Sequence, residues 1–384
     1  MERKTRRLAL CVAMAGGVCA AAAAKADATL YTISNGAAGN TVAVIKQTDD
    51  GGLRVVGRYA TGGVGSGVGI AVPADPLGTQ FAVILSDDRR WLIVPNAASN
   101  TISVFRVLGD ALVLASVTPA GADYPAGFAL RNNNRLYVLD SAGRTRITQF
   151  VLLPNGRLLP QPDRSVDFPT VSASVGTQPN VLDSPGQIQF SPDGRWLVAA
   201  DKNFVAGRGG IAVYPVDHEG RLGTPTLTTL DEPAPFGFTF DAQGRLLVTL
   251  PVTGSLGRYA IGSSGALTQV SLISSQQMTP CWIDGRAPYY YSTNTFSDSI
   301  SAYAAAADGS LRLLNADGVA VALGTGAQPT EVHVSRDGRR LFVVASGSGK
   351  LEMFSIEPKT GALSTRRSLQ VFDGFTGMSG LALR

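Results

Sequence analysis

Between Asp201 and Gly210 the chain reads Asp-Lys-Asn-Phe-Val-Ala-Gly-Arg-Gly-Gly, gathering a carboxylate, an ammonium, an amide and a guanidinium in one short stretch. A second polar stretch, Asp183-Ser-Pro-Gly-Gln187, precedes it. Lys202 and Arg208 have the charge to hold an anionic ligand. Asp183 and Asp201 could tune a base, and Asn203 and Gln187 supply hydrogen-bond donors. The same residues would also serve as a solvated loop with ordinary surface ion pairs. Cys281-Trp282 is the other pair with chemical potential. A thiol nucleophile needs a base and a lowered pKa, and no histidine is placed to provide one, which favours a packed, inert cysteine. Trp282 could stack on a ring or fill a core.

The histidines are His218 and His333. His218 sits in the turn sequence Val216-Asp-His-Glu-Gly220. His333 lies in Glu331-Val-His-Val334, where strand alternation puts it on the same face as Glu331. Two isolated histidines, without a His-x-x-x-His or paired-cysteine spacing, do not make a three-ligand zinc site. No cofactor is therefore expected, although a calcium or magnesium held by carboxylates and carbonyls stays compatible with a central channel. The run Gly62-Gly-Val-Gly-Ser-Gly-Val-Gly69 does not lie between a strand and a helix, so it lacks the helix N-terminus of a dinucleotide loop.

The elements that must position these residues announce themselves by repetition. Ser191-Pro-Asp-Gly-Arg-Trp-Leu-Val-Ala-Ala200 returns as Ser335-Arg-Asp-Gly-Arg-Arg-Leu-Phe-Val-Val344. Weaker copies start at Asp241 and Ser86. Each is followed by a strand ending near an aromatic residue, such as Val213-Tyr214, and by a Gly-x-Leu turn. A period of roughly 50 residues with about four short strands per unit predicts a β-propeller. Seven units fit between Leu30 and Leu383 with no linker between them. The chain starts mid-unit at Leu30-Tyr-Thr-Ile33 and ends on Gly377-Met-Ser-Gly-Leu-Ala-Leu383, which reads as an opening strand. The last strand is thus expected to complete the first blade and remove the free edge at the seam. In such a ring, ligands meet the channel mouth, formed by loops entering each inner strand and loops between second and third strands. The 201–210 stretch is one of the latter.

Residues 1–26 are expected to be a secretory signal peptide, leaving residues 27–384 as one propeller domain. Arg3, Lys4, Arg6 and Arg7 precede an uncharged apolar run from Leu8 to Ala24, and Ala24-Lys-Ala26 offers small residues for cleavage. No later stretch is long and apolar enough to span a bilayer. The product is expected to be periplasmic or extracellular, without a membrane association after cleavage. Charge supports the division. The chain has 33 Lys and Arg against 29 Asp and Glu, and the leader holds five of the basic residues and one acid. Residues 27–384 are therefore neutral and have no basic patch, which excludes nucleic-acid binding. Only Cys281 remains beyond the leader, so no internal disulfide can form and the core must hold the fold.

These features resemble the bacterial lactonase-like seven-bladed propellers, the group that includes propeller 6-phosphogluconolactonase and fungal carboxymuconate-cyclising enzymes. The resemblance covers essentially all of 27–384. It is most specific at Asp75-Pro-Leu-Gly-Thr-Gln80, Pro95-Asn-Ala-Ala-Ser-Asn-Thr-Ile-Ser-Val-Phe105, Pro235-Phe-Gly-Phe-Thr-Phe240 and Pro280-Cys-Trp282, which look like an exported branch. Similar enzymes carry a Pro-Arg-His run before an inner strand where this chain has Pro329-Thr330-Glu331. By that correspondence Glu331 is the candidate catalytic residue, a general base for water attack on a lactone or an acceptor for a bound hydroxyl. The alternative is a carboxylate that pairs with neighbouring amides as a structural plug.

Two functions are compatible with these residues. One is a lactonase-like hydrolase or cyclising enzyme for a small carboxylated ring compound, with Glu331 as base. Lys202 or Arg208 would hold the substrate carboxylate, and Asp183, Gln187, Asp201, Asn203 and Trp282 would complete the site. The other is a non-catalytic propeller that binds a small ligand or a protein at its rim.

Overall fold

The computed structural model describes residues 28–169, 174–175, 178–204, 207, 209–231, 234–373 and 377–384, with backbone alone at 174–175. The expected leader (1–26) and Arg208 lie outside the described residues. Strands dominate, and the helical elements among the described residues are three single 3₁₀ turns. No described helix is long and apolar enough to cross a membrane.

Seven antiparallel sheets form the blades of a propeller. Their innermost strands, from blade 2 to blade 7, are Ile84–Leu85, Asp123–Arg131, Pro185–Phe190, Phe238–Phe240, Pro280–Arg286 and Pro329–Val334. Blade 1 takes its outer three strands from Thr29–Ile33, Thr41–Gln47 and Leu53–Ala60, and its inner strand from Ser379–Leu383. The register there sets Leu30 against Leu383 and Tyr31 against Ala382. Closure works as the sequence implies: the last strand satisfies an edge that would otherwise expose a row of amides.

The recurring Ser-x-Asp-Gly-Arg phrase is the turn from the first to the second strand of a blade. In blade 4 the Ser191 hydroxyl donates to Asp193 Oδ1 at 2.6 Å and accepts from Trp196 N at 3.1 Å, while Gly194 N donates to Ser191 O at 2.8 Å. Blade 7 repeats this with Ser335, Asp337 and Gly338. The short polar side chains replace backbone partners in the turn, and the glycine takes the positive φ (69° at Gly194). Because the inner strand runs away from the channel mouth toward this turn, the strongest sequence motif marks the opposite face of the ring.

Burial follows from stacking. Second strands such as Trp91–Asn96 and Leu246–Leu250 are buried along their whole length, since each sheet has another against both faces. Outer strands such as Leu363–Gln370 are mostly exposed. The core is accordingly divided among the blade interfaces. Phe128, Leu136 and Val138 of blade 3 meet Ile93 and Val104 of blade 2. Phe342 and Val344 of blade 7 meet Leu30 and Ala43 of blade 1.

The central channel is filled from within the chain. The 61–83 connection is the longest between blades, and its second half threads the axis. Gln80 accepts from Ile283 N at 3.2 Å and donates to Val332 O at 3.1 Å, bridging the inner strands of blades 6 and 7. Phe81 O accepts from Phe128 N of blade 3 at 3.2 Å. On the other side of the axis, Gly78 O accepts from the Lys202 ammonium of blade 4 at 2.6 Å. Inner strands have unpaired amides toward the channel, and this segment satisfies several of them. The glycine-rich stretch before it is laced to blade 1. Gly67 N donates to Asn35 O at 2.8 Å, and a Cβ on Gly65 would stand 2.3 Å from the Asn35 carbonyl carbon, so only glycine allows that approach.

Candidate functional site

With the axis closed, a cavity opens off-centre on the loop face, lined by residues of blades 4 to 6 and of the channel segment. It has a volume of about 500 Å³. Val72, Leu182, Phe204, Phe236, Met278 and Phe296 give it an apolar wall, and Thr253, Gln277, Thr279, Cys281 and Thr295 add polar groups. Asp75 is its one charged lining residue among those described. The volume is in the range of small-molecule sites.

Asp75 is buried, with 5% exposure. Its Oδ1 accepts from Gly78 N at 3.0 Å, closing a tight turn in the channel segment. Its Oδ2 accepts from Trp282 Nε1 at 2.9 Å. Burial pushes this carboxyl up to about 7, although the Lys202 charge and the two hydrogen bonds pull the other way. Lys202 is fully buried beside it. Burial depresses its ammonium to about 8 against the opposing pull of Asp75 first, then of other acids including Asp201 and Asp183. The ammonium lies 4.7 Å from the centre of the Phe236 ring, which contributes a cation–π attraction. Gly78 is required at this contact: its φ is +55°, and a Cβ there would sit 2.7 Å from Lys202 Nζ.

Trp282 is wholly buried, tilted against Phe236 with ring centres 4.8 Å apart, and it aims its indole N–H at Asp75. Cys281 lines the cavity, but burial pushes its thiol up to about 12, so it is not a thiolate nucleophile at neutral pH. Thr279 is bonded to its own loop: its hydroxyl donates to Met278 O at 2.8 Å and accepts from Phe296 N at 2.9 Å. Thr295 donates to Pro329 O at 2.9 Å.

The remaining residues singled out in the sequence are distributed around this centre. Gln187 donates to Phe238 O at 2.7 Å and accepts from Phe238 N at 3.0 Å, tying the inner strands of blades 4 and 5 as Gln80 ties 6 and 7. Asp183 accepts from Asn180 Nδ2 at 2.9 Å. Asp201 is buried at the end of the second strand of blade 4, paired with Gly210. Asn203 comes two residues later with a left-handed backbone (φ +35°). Glu331 is buried in the channel and outside the lining of the cavity. Its Oε1 accepts from Phe81 N at 3.1 Å and lies 3.3 Å from His333 Nε2. His333 Nδ1 is 3.5 Å from Asp284 Oδ2. Burial alone would lower the imidazole, but hydrogen bonds to Asp284 and Glu331 overcome it and raise it to about 9. Among the described residues no three His, Cys, Asp or Glu side chains gather as a metal site.

In the sequence Asp75 stands only in a family-like phrase, with no neighbouring group to mark a role. The one signal pointing to it is the length of the 61–83 connection, since long ordered loops in compact folds are commonly functional.

A family model described as "Lactonase, 7-bladed beta-propeller" matches residues 282–374, within blades 6 and 7. The chain is a seven-bladed propeller whose last two blades match that family's model. Solved structures agree over its length. A periplasmic gluconolactonase from Pseudomonas aeruginosa is 20% identical, with a TM-score of 0.67 over 93% of this chain and 98% of that one. A protein from Bacteroides uniformis proposed to be a 6-phosphogluconolactonase is 17% identical, with a TM-score of 0.68 over 93% and 99%. Virginiamycin B lyase from Staphylococcus aureus is 13% identical, with a TM-score of 0.52 over 79% and 88%. At these identities the likeness is one of fold. No curated protein matches the chain by sequence.

Proposed function

We propose that this lactonase-like propeller is an exported hydrolase that opens a small lactone in the loop-face cavity, with Asp75 as general base. The observation that carries this reading is a buried carboxylate lining an apolar cavity, where burial raises its pKa toward neutrality. A base with that pKa is well matched to proton transfer at neutral pH. The carboxylate takes a proton from water as the water oxygen bonds to the lactone carbonyl carbon. The tetrahedral adduct then collapses, the ring carbon–oxygen bond breaks, and the proton on Asp75 passes to the departing alkoxide. Water and lactone thus give one hydroxy acid. Trp282 holds the carboxylate in place, and the Lys202 charge behind it favours the anion. Export rests on the character of residues 1–26 and has a parallel in the relative named as periplasmic. The apolar wall leads us to replace the carboxylated substrate expected from Lys202 and Arg208 by a neutral one.

A second reading, a binding scaffold without turnover, is favoured by the internal bonding of Thr279 and Thr295, which occupies hydroxyls that would otherwise stabilise an oxyanion. Acid release from a panel of neutral lactones, by the wild type and by Asp75→Asn, separates the two. Turnover that falls about 10²-fold or more in the variant, with the melting temperature retained, supports the hydrolase. Ligands that raise the melting temperature without being consumed support the scaffold.

A further inference from the structure

The cavity does not end at its buried carboxylate, and the side chains around its mouth bear on what enters it. Phe204 is 42% exposed, Val252 48%, Met278 62% and Phe296 52%. These four come from different loops of blades 4, 5 and 6, yet all of them line the same opening. Large apolar side chains exposed singly need no explanation, but four of them lining one concave site mark a surface that is covered in use. Asp75, the one charged group among the described lining residues, is buried, and Lys202 beside it is turned onto Gly78 O.

From this division we infer that the ligand is a neutral ring ester carrying an unbranched apolar tail. The ring sits at Asp75, and the tail runs outward over Phe204, Val252, Met278 and Phe296. The assignment rests on the hydrolase reading for the ring and on the collar for the tail. An anionic or polyhydroxylated ring is disfavoured twice. No described lining residue is cationic, and many of the ring's polar groups would lose water against the apolar wall. A tail gains by covering side chains that are otherwise wet.

The test is a series of γ-lactones with unbranched alkyl substituents from methyl to octyl, with a carboxymethyl lactone and gluconolactone as polar comparisons. Each added methylene is expected to raise kcat/KM about fourfold until the collar is covered. Phe296→Ser is expected to flatten that slope. Hydrolysis that is independent of tail length, or faster on the polar lactones, overturns the inference and leaves the hydrolase reading standing. If none is hydrolysed, the hydrolase reading fails, and the tail is judged from the melting temperature of the wild type with the same series. A shift that grows with tail length retains the apolar ligand, and no shift with any member overturns it.

Discussion

Trp282 and Asp75, 207 positions apart in the chain, are joined by a 2.9 Å hydrogen bond from the indole N–H to a carboxylate oxygen. The bond crosses from the inner strand of blade 6 to the segment that fills the channel, and with Lys202 it favours the ionised carboxylate against the larger effect of burial.

Replacing Trp282 by Phe keeps most of the apolar volume and removes that donor. A hydrogen bond to a charged group contributes about 1.5–3 kcal/mol, so the Asp75 carboxyl is expected to rise by about one pH unit or more. The acid limb of the pH–rate profile should move up by the same amount, whereas a purely structural tryptophan would lower stability and leave the limb in place.

Lys202→Met tests the electrostatic partner. The ammonium pulls the Asp75 carboxyl down, so its loss should also move the acid limb upward. In the wild type, activity is expected to rise as Asp75 ionises and to stay level above that range. The rise in the variant should begin at higher pH, which a pH–rate profile reads directly.

The His333 clamp predicts a pH dependence of stability. Its folded value is raised from 6.5 to about 9 by Asp284 and Glu331. The folded state therefore binds the proton more tightly than the unfolded one. The resulting stabilisation, on the order of 3 kcal/mol, is complete below about pH 6.5 and lost as the pH rises through about 9. Urea unfolding across that range should show the decline in the wild type and a flatter curve in His333→Gln.

Glu331→Gln is expected to act on stability before chemistry. The variant amide keeps an oxygen for Phe81 N but loses the charge opposite His333, so the fall in melting temperature should be largest below pH 8. A selective loss of turnover with stability unchanged would instead make Glu331 the base.

Gln80→Leu removes a side chain that serves both Ile283 N and Val332 O. Two buried backbone groups would be left without partners, at about 1–3 kcal/mol each. Urea unfolding should show that loss, with an altered slope if the channel segment detaches.

The sequence by itself determined the ring. Its turns are local: Ser191, Asp193 and Gly194 build one within a few residues, and repetition of such units makes seven blades and a closing strand readable from spacing. It also showed the chemical potential of the 183–210 region, but not where those groups point. Gln187 became a tie between blades, and Lys202 turned inward onto Gly78 O. Only the tertiary structure decided that residues 75–83 fill the axis, that the open cavity lies beside it, and that Asp75 rather than Glu331 lines it. The physical reason is range. A hairpin turn is fixed by neighbours along the chain, whereas the ionisation of a buried carboxylate is fixed by burial and by Trp282 and Lys202, partners that only the closed ring brings within reach.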